Sequence, residues 1–227
     1  LEQAKKYIYL EYFIVDEGLM WGKILEVLAR KAKEGVDVRV MYDGTCEFTK
    51  LPHSFPQYLK TLGIKCRVFA RVRPFVSTHY NYRDHRKIVV IDGHTAFTGG
   101  INLADEYINA REKYGHWKDS GVLLEGKAAW SFTLMFLEMW ELCTKCGEDI
   151  ASYYPWQFTG CNMEPDGLVI PYADSPMDSE NVGEHVYLQI LNEAQDYVYI
   201  NTPYLILDDS IVSALCLAAK RGVDVRI

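Results

Sequence analysis

The sequence predicts an α/β protein built on a mainly parallel sheet flanked by helices, present as two related halves of which the second is cut short. Three observations lead there. Apolar runs of strand length alternate with segments of helical period. The segment Gly35-Val-Asp-Val-Arg39 returns unchanged as Gly222-Val-Asp-Val-Arg226. And 49% of the 227 residues are apolar, enough for the core of one complete domain and part of another.

In chain order, Tyr7 to Val15 is an apolar run of strand length. Met20 to Lys33 carries a helical apolar stripe and ends before Gly35, and Val36 to Tyr42 forms the next strand, closing a βαβ unit. A helix at about Pro56 to Leu62 and a strand from Ile64 to Phe69 continue the alternation. Asp92-Gly93-His94-Thr95 then offers a hairpin with Gly93-His94 at the two turn positions, although an Asp-Gly pair is the commoner occupant of both. The Gly93-His94 register sets His85 opposite Asn102 and Lys87 opposite Gly100. Ala128 to Trp140 is the most apolar stretch, but 13 residues are too few to span a bilayer, and it reads as a helix packed in the core.

The duplication reaches beyond the pentapeptide. Tyr7-Ile-Tyr-Leu10 corresponds to Tyr197-Val-Tyr-Ile200, so a strand, a helix and the start of a second strand recur in the same order. Residues 147–166 hold Gly147, Pro155, Gly160 and Pro165 without a clear period and read as a linker between halves at 1–146 and 167–227. The second copy stops inside the strand whose first-copy partner continues to Met41-Tyr-Asp-Gly44, which leads us to expect a gene that continues past Ile227.

Composition excludes several classes. A net charge of −7 argues against a general nucleic-acid binder. The charge is uneven, however: Lys65 to Lys87 carries a local +6 from Lys65, Arg67, Arg71, Arg73, Arg83, Arg86 and Lys87 against Asp84, leaving −13 elsewhere. A basic segment in an acidic protein suits a small anionic substrate such as a phosphate headgroup. Six cysteines are scattered without a disulfide framework, and Cys143-x-x-Cys146 has only Cys161 near it as a third zinc ligand, one short of a closed site.

Chemistry concentrates in Tyr82-Arg-Asp-His-Arg-Lys-Ile-Val-Val-Ile-Asp92, an HxKxxxxD pattern of His85, Lys87 and Asp92 followed by Gly99-Gly100-Ile-Asn102. In a strand, His85 and Lys87 project to one side; Asp92, counted with them among the catalytic residues of the motif, falls on the opposite parity, which suggests a structural ion pair rather than direct contact with substrate. An imidazole, an ammonium and the Asn102 carboxamide beside two glycines that admit an anion to the backbone make a phosphate-binding patch. His53, His79, His94, His116 and His185 show no ligand spacing, with His79 the least improbable substrate contact.

HxKxxxxD with a trailing GGxN resembles the phospholipase D superfamily, whose members carry one such motif in each duplicated half. Arg83 to Lys87, Gly99 to Tyr107, Trp117-Lys-Asp119, and Thr202-Pro-Tyr204 with Asp208-Asp209 are similar to cardiolipin synthases; Asp84 departs from the asparagine expected before the motif histidine. The resemblance implies a phospholipase D-like α/β sandwich and a two-step exchange through phosphohistidine. His85 would attack phosphatidylglycerol, the second half's histidine would protonate the departing glycerol, and Lys87, Asn102, Gly99 and Gly100 would hold the phosphate. No cofactor and no metal are implied. Asp119, or else Glu106 or Glu112, would fix the His85 tautomer. It also implies a place on the cytoplasmic side of the cell membrane, held by segments outside these residues, with a membrane surface and anionic phospholipid as partners. The missing second motif would complete the active site. Two rivals are a phosphodiesterase or nuclease of the same superfamily, and an inactive half-site that only holds a phosphate.

Overall fold

A computed structural model of the chain describes residues 1–71, 83–113, 115–155, 167–174 and 179–227. Arg73, His79, Cys161 and most of the stretch read as a linker lie outside the described residues. The described residues form two compact units, 1–171 and 172–227. Residues 148–155 are seated on the first unit: Glu148 meets Arg39 at 2.8 Å, and the Tyr153 carbonyl accepts from the Tyr7 hydroxyl at 3.0 Å.

The first unit is a six-stranded sheet. Its strands are β1 (Tyr7–Tyr12), β2 (Asp37–Asp43), β3 (Lys65–Phe69), β4 (Lys87–Ile91), β5 (Thr95–Gly99) and β6 (Gly121–Glu125), in the order β3-β2-β1-β4-β5-β6. β1, β2 and β3 pair in parallel, β4 joins β1 antiparallel, and β5 and β6 follow antiparallel, so β1, β2, β3 and β5 share one direction. β1 is buried along its whole length because helices cover both faces, which is why its sequence is a continuous apolar run rather than an alternating one. On one face α1 (Leu19–Lys33) and α3 (Phe55–Thr61) bury Trp21, Leu28, Phe55 and Leu59 against Ile8, Leu10, Val38 and Val40. On the other, α4 (Ala128–Thr144) buries Phe132, Phe136, Leu137 and Trp140 against Tyr7, Tyr9, Met41 and Val90. Among the elements that escaped the sequence reading are the four-residue α2 (Cys46–Thr49), too short to show a period, and β6, whose Val122 and Leu123 are exposed so that no buried stripe marks it.

The β4–β5 register corrects the expected hairpin. Asp92 and Gly93, with φ of +52° and +73°, take both turn positions, and the His94 amide donates to the Ile91 carbonyl at 3.2 Å. His94 is left as an extra residue, and Ile91 pairs with Thr95 and Ile88 with Thr98. Pairing is thereby displaced by one residue from the expected register: His85 does not face Asn102 across the hairpin, nor Lys87 Gly100. The physical reason is that the positive φ needed at both turn positions suits an Asp-Gly pair better than Gly-His.

The second unit holds α5 (Val182–Glu193), β7 (Tyr197–Tyr199), α6 (Asp209–Lys220) and β8 (Asp224–Arg226), with Leu191, Val198, Leu215, Ala218 and Val223 as its core. Its parallel pair repeats the register of the first. Tyr197, Val198 and Tyr199 face Asp224, Val225 and Arg226 as Tyr7, Ile8 and Tyr9 face Asp37, Val38 and Arg39. The detail is repeated too. Arg39 pairs with Asp37 at 2.8 Å and lies 5.0 Å over the Tyr9 ring, while Arg226 pairs with Asp224 at 2.7 Å and lies 5.0 Å over Tyr199. Gly35 and Gly222, at φ of +91° and +97°, close the preceding helices in the left-handed region.

Equivalent arginines differ in burial, with side chains 4% and 71% exposed. Arg39→Met strands the partly buried Glu148 and is expected to cost about 3 kcal/mol or more. Arg226→Met is expected to cost under about 1 kcal/mol. Urea unfolding of the two variants checks the contrast.

Candidate functional site

The site forms where the chain crosses from β3, on one side of β1, to β4 on the other, at the edge of the sheet where β1 and β2 end. Such crossover points leave a crevice at the strands' carboxyl ends. Three segments meet there: residues 13–16 after β1, residues 43–45 at the end of β2, and residues 83–87 running into the start of β4.

His85 precedes the strand and is open to solvent, its ring centroid 4.7 Å from that of Phe13. Lys87 is the first residue of β4, opposite Tyr12, and is buried. Its ammonium lies 5.4 Å from the centroid of the same Phe13 ring and donates to the His85 carbonyl. The structure therefore brings His85 and Lys87 together, with Phe13 between them as a cation-binding ring face that the sequence reading missed. Burial pulls Lys87 down to about 8, against the opposing charges of Asp84 and Asp119. Desolvation and the neighbouring Lys87 hold His85 below its ordinary value, against the pull of Asp43. A neutral imidazole beside a cation is the state a nucleophile toward a phosphate needs.

Asn102 is buried one residue further along. Its carbonyl oxygen accepts from the Ile14 amide at 3.0 Å and its amide nitrogen donates to the Tyr107 hydroxyl at 2.9 Å. These bonds dock the segment after β5 beside that after β1, where Val15 and Leu103 form a parallel bridge.

Asp92 is corrected on two counts. It ends the strand that begins at Lys87, so it stands roughly 17 Å from the Lys87 end, at the usual rise per strand residue. Nor, among the described residues, does it make the expected ion pair. Its carboxylate accepts the backbone amides of Lys5, Lys6 and Tyr7 at 2.8, 2.7 and 2.9 Å, fastening the start of β1 to the end of β4.

The glycines at 99 and 100 have a packing reason. A Cβ on Gly99 would lie 2.4 Å from the Ser120 carbonyl oxygen, and one on Gly100 would lie 2.2 Å from Asp119 Oδ1, so the strand-to-strand approach of β5 and β6 excludes side chains. Asp119 fills that space. It accepts from the Trp117 indole at 3.1 Å and from the Ser120 amide at 2.8 Å, and its charge is felt at Lys87. Among the described residues no hydrogen bond joins it to His85. Glu106 is engaged by Arg111 at 2.7 Å and Lys113 at 3.8 Å, and Glu112 is exposed. Asp105, beside it, caps α1 from a distance by accepting the amides of Leu19 and Met20, both at 2.9 Å, a cap that α1 lacks from its own Gly18. Those two bonds hold the Asp105 carboxyl below its ordinary value. His53 meets Glu47 and His94 meets Thr95. Of the Cys143/Cys146 pair, Cys143 packs on Met41 and Cys146 is exposed.

A second cluster lies directly beneath. Asp84 and Arg86, which flank His85, turn inward to Glu11 of β1, a wholly buried carboxyl 3.7 Å from the Arg86 guanidinium. Burial, with Asp84 beside it, pushes Glu11 well above the usual carboxylate range, against the pull of Arg86. The sequence showed only a glutamate in an apolar run; strand parity alone does not say which neighbour it meets.

The crossover fold with a histidine and a buried lysine at its crevice defines a phospholipase D-like domain. The chain belongs to the family described as "Cardiolipin synthase, PLD-like domain", whose model matches residues 1–130 and 187–227. It is 58% identical to an uncharacterized protein of Streptococcus mutans over 100% of this chain and 49% of that one. It is 39% identical to a cardiolipin synthase of Halalkalibacterium halodurans and 38% identical to cardiolipin synthase 2 of Bacillus cereus. In both cases the whole chain is covered, with 45% and 44% of the relatives. The chain thus spans about half the length of the curated relatives it matches. Among solved structures, the phosphatidylserine synthase of Haemophilus influenzae shares the fold, with a TM-score of 0.67 at 15% identity over 99% of this chain and 56% of that one.

Two outcomes are expected. Asp92→Ala leaves three backbone amide donors without their acceptor and should destabilise the chain by about 3 kcal/mol in urea unfolding, with the His85 NMR titration unmoved. Lys87→Met should stabilise it by on the order of 2 kcal/mol at pH 7. The sign follows from the lowered Lys87 value. Below about pH 8 both folded and unfolded chains hold the proton and the folded state bears the full cost of burying it. Between about pH 8 and 10.5 the folded lysine is neutral and the gain of the variant shrinks away.

Proposed function

We propose that the chain supplies the nucleophilic half of a phosphatidyltransferase that joins two phosphatidylglycerol molecules into cardiolipin and glycerol. The observation that carries the reading is His85, exposed and held below its ordinary value, on a ring face shared with the buried cation Lys87. The neutral imidazole attacks phosphorus, the bond from phosphorus to the glycerol oxygen breaks, and glycerol departs with a proton from the general acid of the second motif. The hydroxyl of a second phosphatidylglycerol then attacks the phosphohistidine, returns its proton to that same group, and frees His85. Lys87 and Asn102 neutralise the nonbridging oxygens. Lipid substrates place the reaction at a membrane surface; among the described residues no helix is long and apolar enough to cross one. Relatives named cardiolipin synthase and the domain family support this reading over other phosphodiester chemistry.

The test is transfer on phosphatidylglycerol vesicles by these residues joined to a second half that carries an HxKxxxxD motif. Cardiolipin and glycerol are expected from the extended wild type, and a loss of at least about a thousandfold in His85→Ala. The pH–rate profile is expected to rise below pH 6.5 as His85 loses its proton and to fall near pH 8 as Lys87 does. Cleavage of single-stranded DNA with no cardiolipin formed would replace the lipid reading with a nuclease one.

A further inference from the structure

Asp43 is the last residue of β2 and is fully buried at the edge where the site forms. Its position is fixed from behind. A Cβ on Gly44 would lie 2.6 Å from the Ala70 carbonyl oxygen, and the Gly44 amide donates to the Phe69 carbonyl at 2.7 Å, so the turn after β2 is pressed against the end of β3. Into that turn Asp43 gathers four donors. Oδ1 takes the Thr45 amide at 2.9 Å, the Thr45 hydroxyl at 2.8 Å and the Arg83 guanidinium at 3.5 Å; Oδ2 takes the Asp84 amide at 3.1 Å. Two of the four come from the pair of residues immediately before His85. By contrast Asp119, the carboxylate expected to serve His85, is tied to Trp117 and Ser120.

We propose that Asp43 is the positioning residue for His85, seating the backbone that presents the imidazole and setting a buried negative charge near it. This rests on His85 being the nucleophile. Seating acts through the Asp84 amide: with the peptide before His85 bound to a rigid turn, and Asp84 and Arg86 turned inward to Glu11, the His85 side chain is left directed to the crevice. The charge acts against Lys87. Among the described residues, the charged groups that bear on the imidazole are Lys87 from β4 and Asp43 from β2, while Phe13, after β1, is neutral. Lys87 pushes the proton off His85 and Asp43 keeps it from falling further, so the pair sets where the nucleophile becomes available.

The test follows the six histidine rings of this chain by NMR as pH is varied, in wild type, Asp43→Asn and Asp119→Asn, with His85→Ala to assign the signal. Asp43→Asn keeps an acceptor and removes the charge; His85 is expected to titrate roughly one pH unit lower, with Asp119→Asn unmoved. An unmoved His85 in folded Asp43→Asn, or a shift in Asp119→Asn alone, overturns the proposal. Should Asp43→Asn not fold, Thr45→Val removes one donor from Oδ1 and is expected to raise the His85 titration by a few tenths of a pH unit; no rise overturns the proposal equally. No substrate is used, so an unmoved His85 sinks this assignment while leaving transfer standing, and absence of transfer on phosphatidylglycerol leaves this assignment standing.

Discussion

Lys87 stands opposite Tyr12 because β4 pairs antiparallel with β1, and Asp92 secures that pairing at its far end by accepting three successive backbone amides from residues 5–7. A one-residue slip would send Lys87 to the other face of the sheet and bring a neighbouring apolar side chain in its place. The third member of the HxKxxxxD motif therefore serves the other two at a distance. It fixes the register that makes the histidine and lysine neighbours, and its spacing in the motif is the length of the strand between them.

The site sits over a buried layer of charge that a protein avoids unless geometry requires it. Glu11, Asp84 and Arg86 lie under the loop that carries His85, and Asp43 holds that loop from the side. Because Asp84 and Arg86 are drawn inward, the alternation of the chain leaves His85 pointing outward. Lys87 bears part of the same cost, since its burial lowers its hold on a proton while keeping it close to where an anion would bind.

The two copies of Gly-Val-Asp-Val-Arg show how one local pattern meets two surroundings. In both, strand alternation puts Asp and Arg on one side, two residues apart, and the arginine lies across the tyrosine of the paired strand. In the first copy Trp140 of α4, Tyr153 and Glu148 close over Arg39 and make it a buried anchor for residues 148–153. In the second copy, Arg226 stays exposed.

What the sequence determined by itself was local or repetitive: the strand–helix–strand order, the duplication, the Ala128 to Trp140 core helix, and His85 with Lys87 as a pair two residues apart. These follow from periods of 3.6 and 2 and from identity between segments, and need no knowledge of distant contacts. Tertiary structure decided everything that depends on which loop arrives beside which. The extra residue at His94 came from the backbone demands of a turn; Gly99 and Gly100 answer to the approach of β6; Asp119 answers to Trp117; and Asp105 caps a helix some eighty-five residues before it. Phe13 and Asp43 carried no signal because one lies just past a strand end and the other at one, where period stops. Only the pairing of β4 with β1, on the side away from β2 and β3, brings Phe13 against His85 and Asp43 against Asp84.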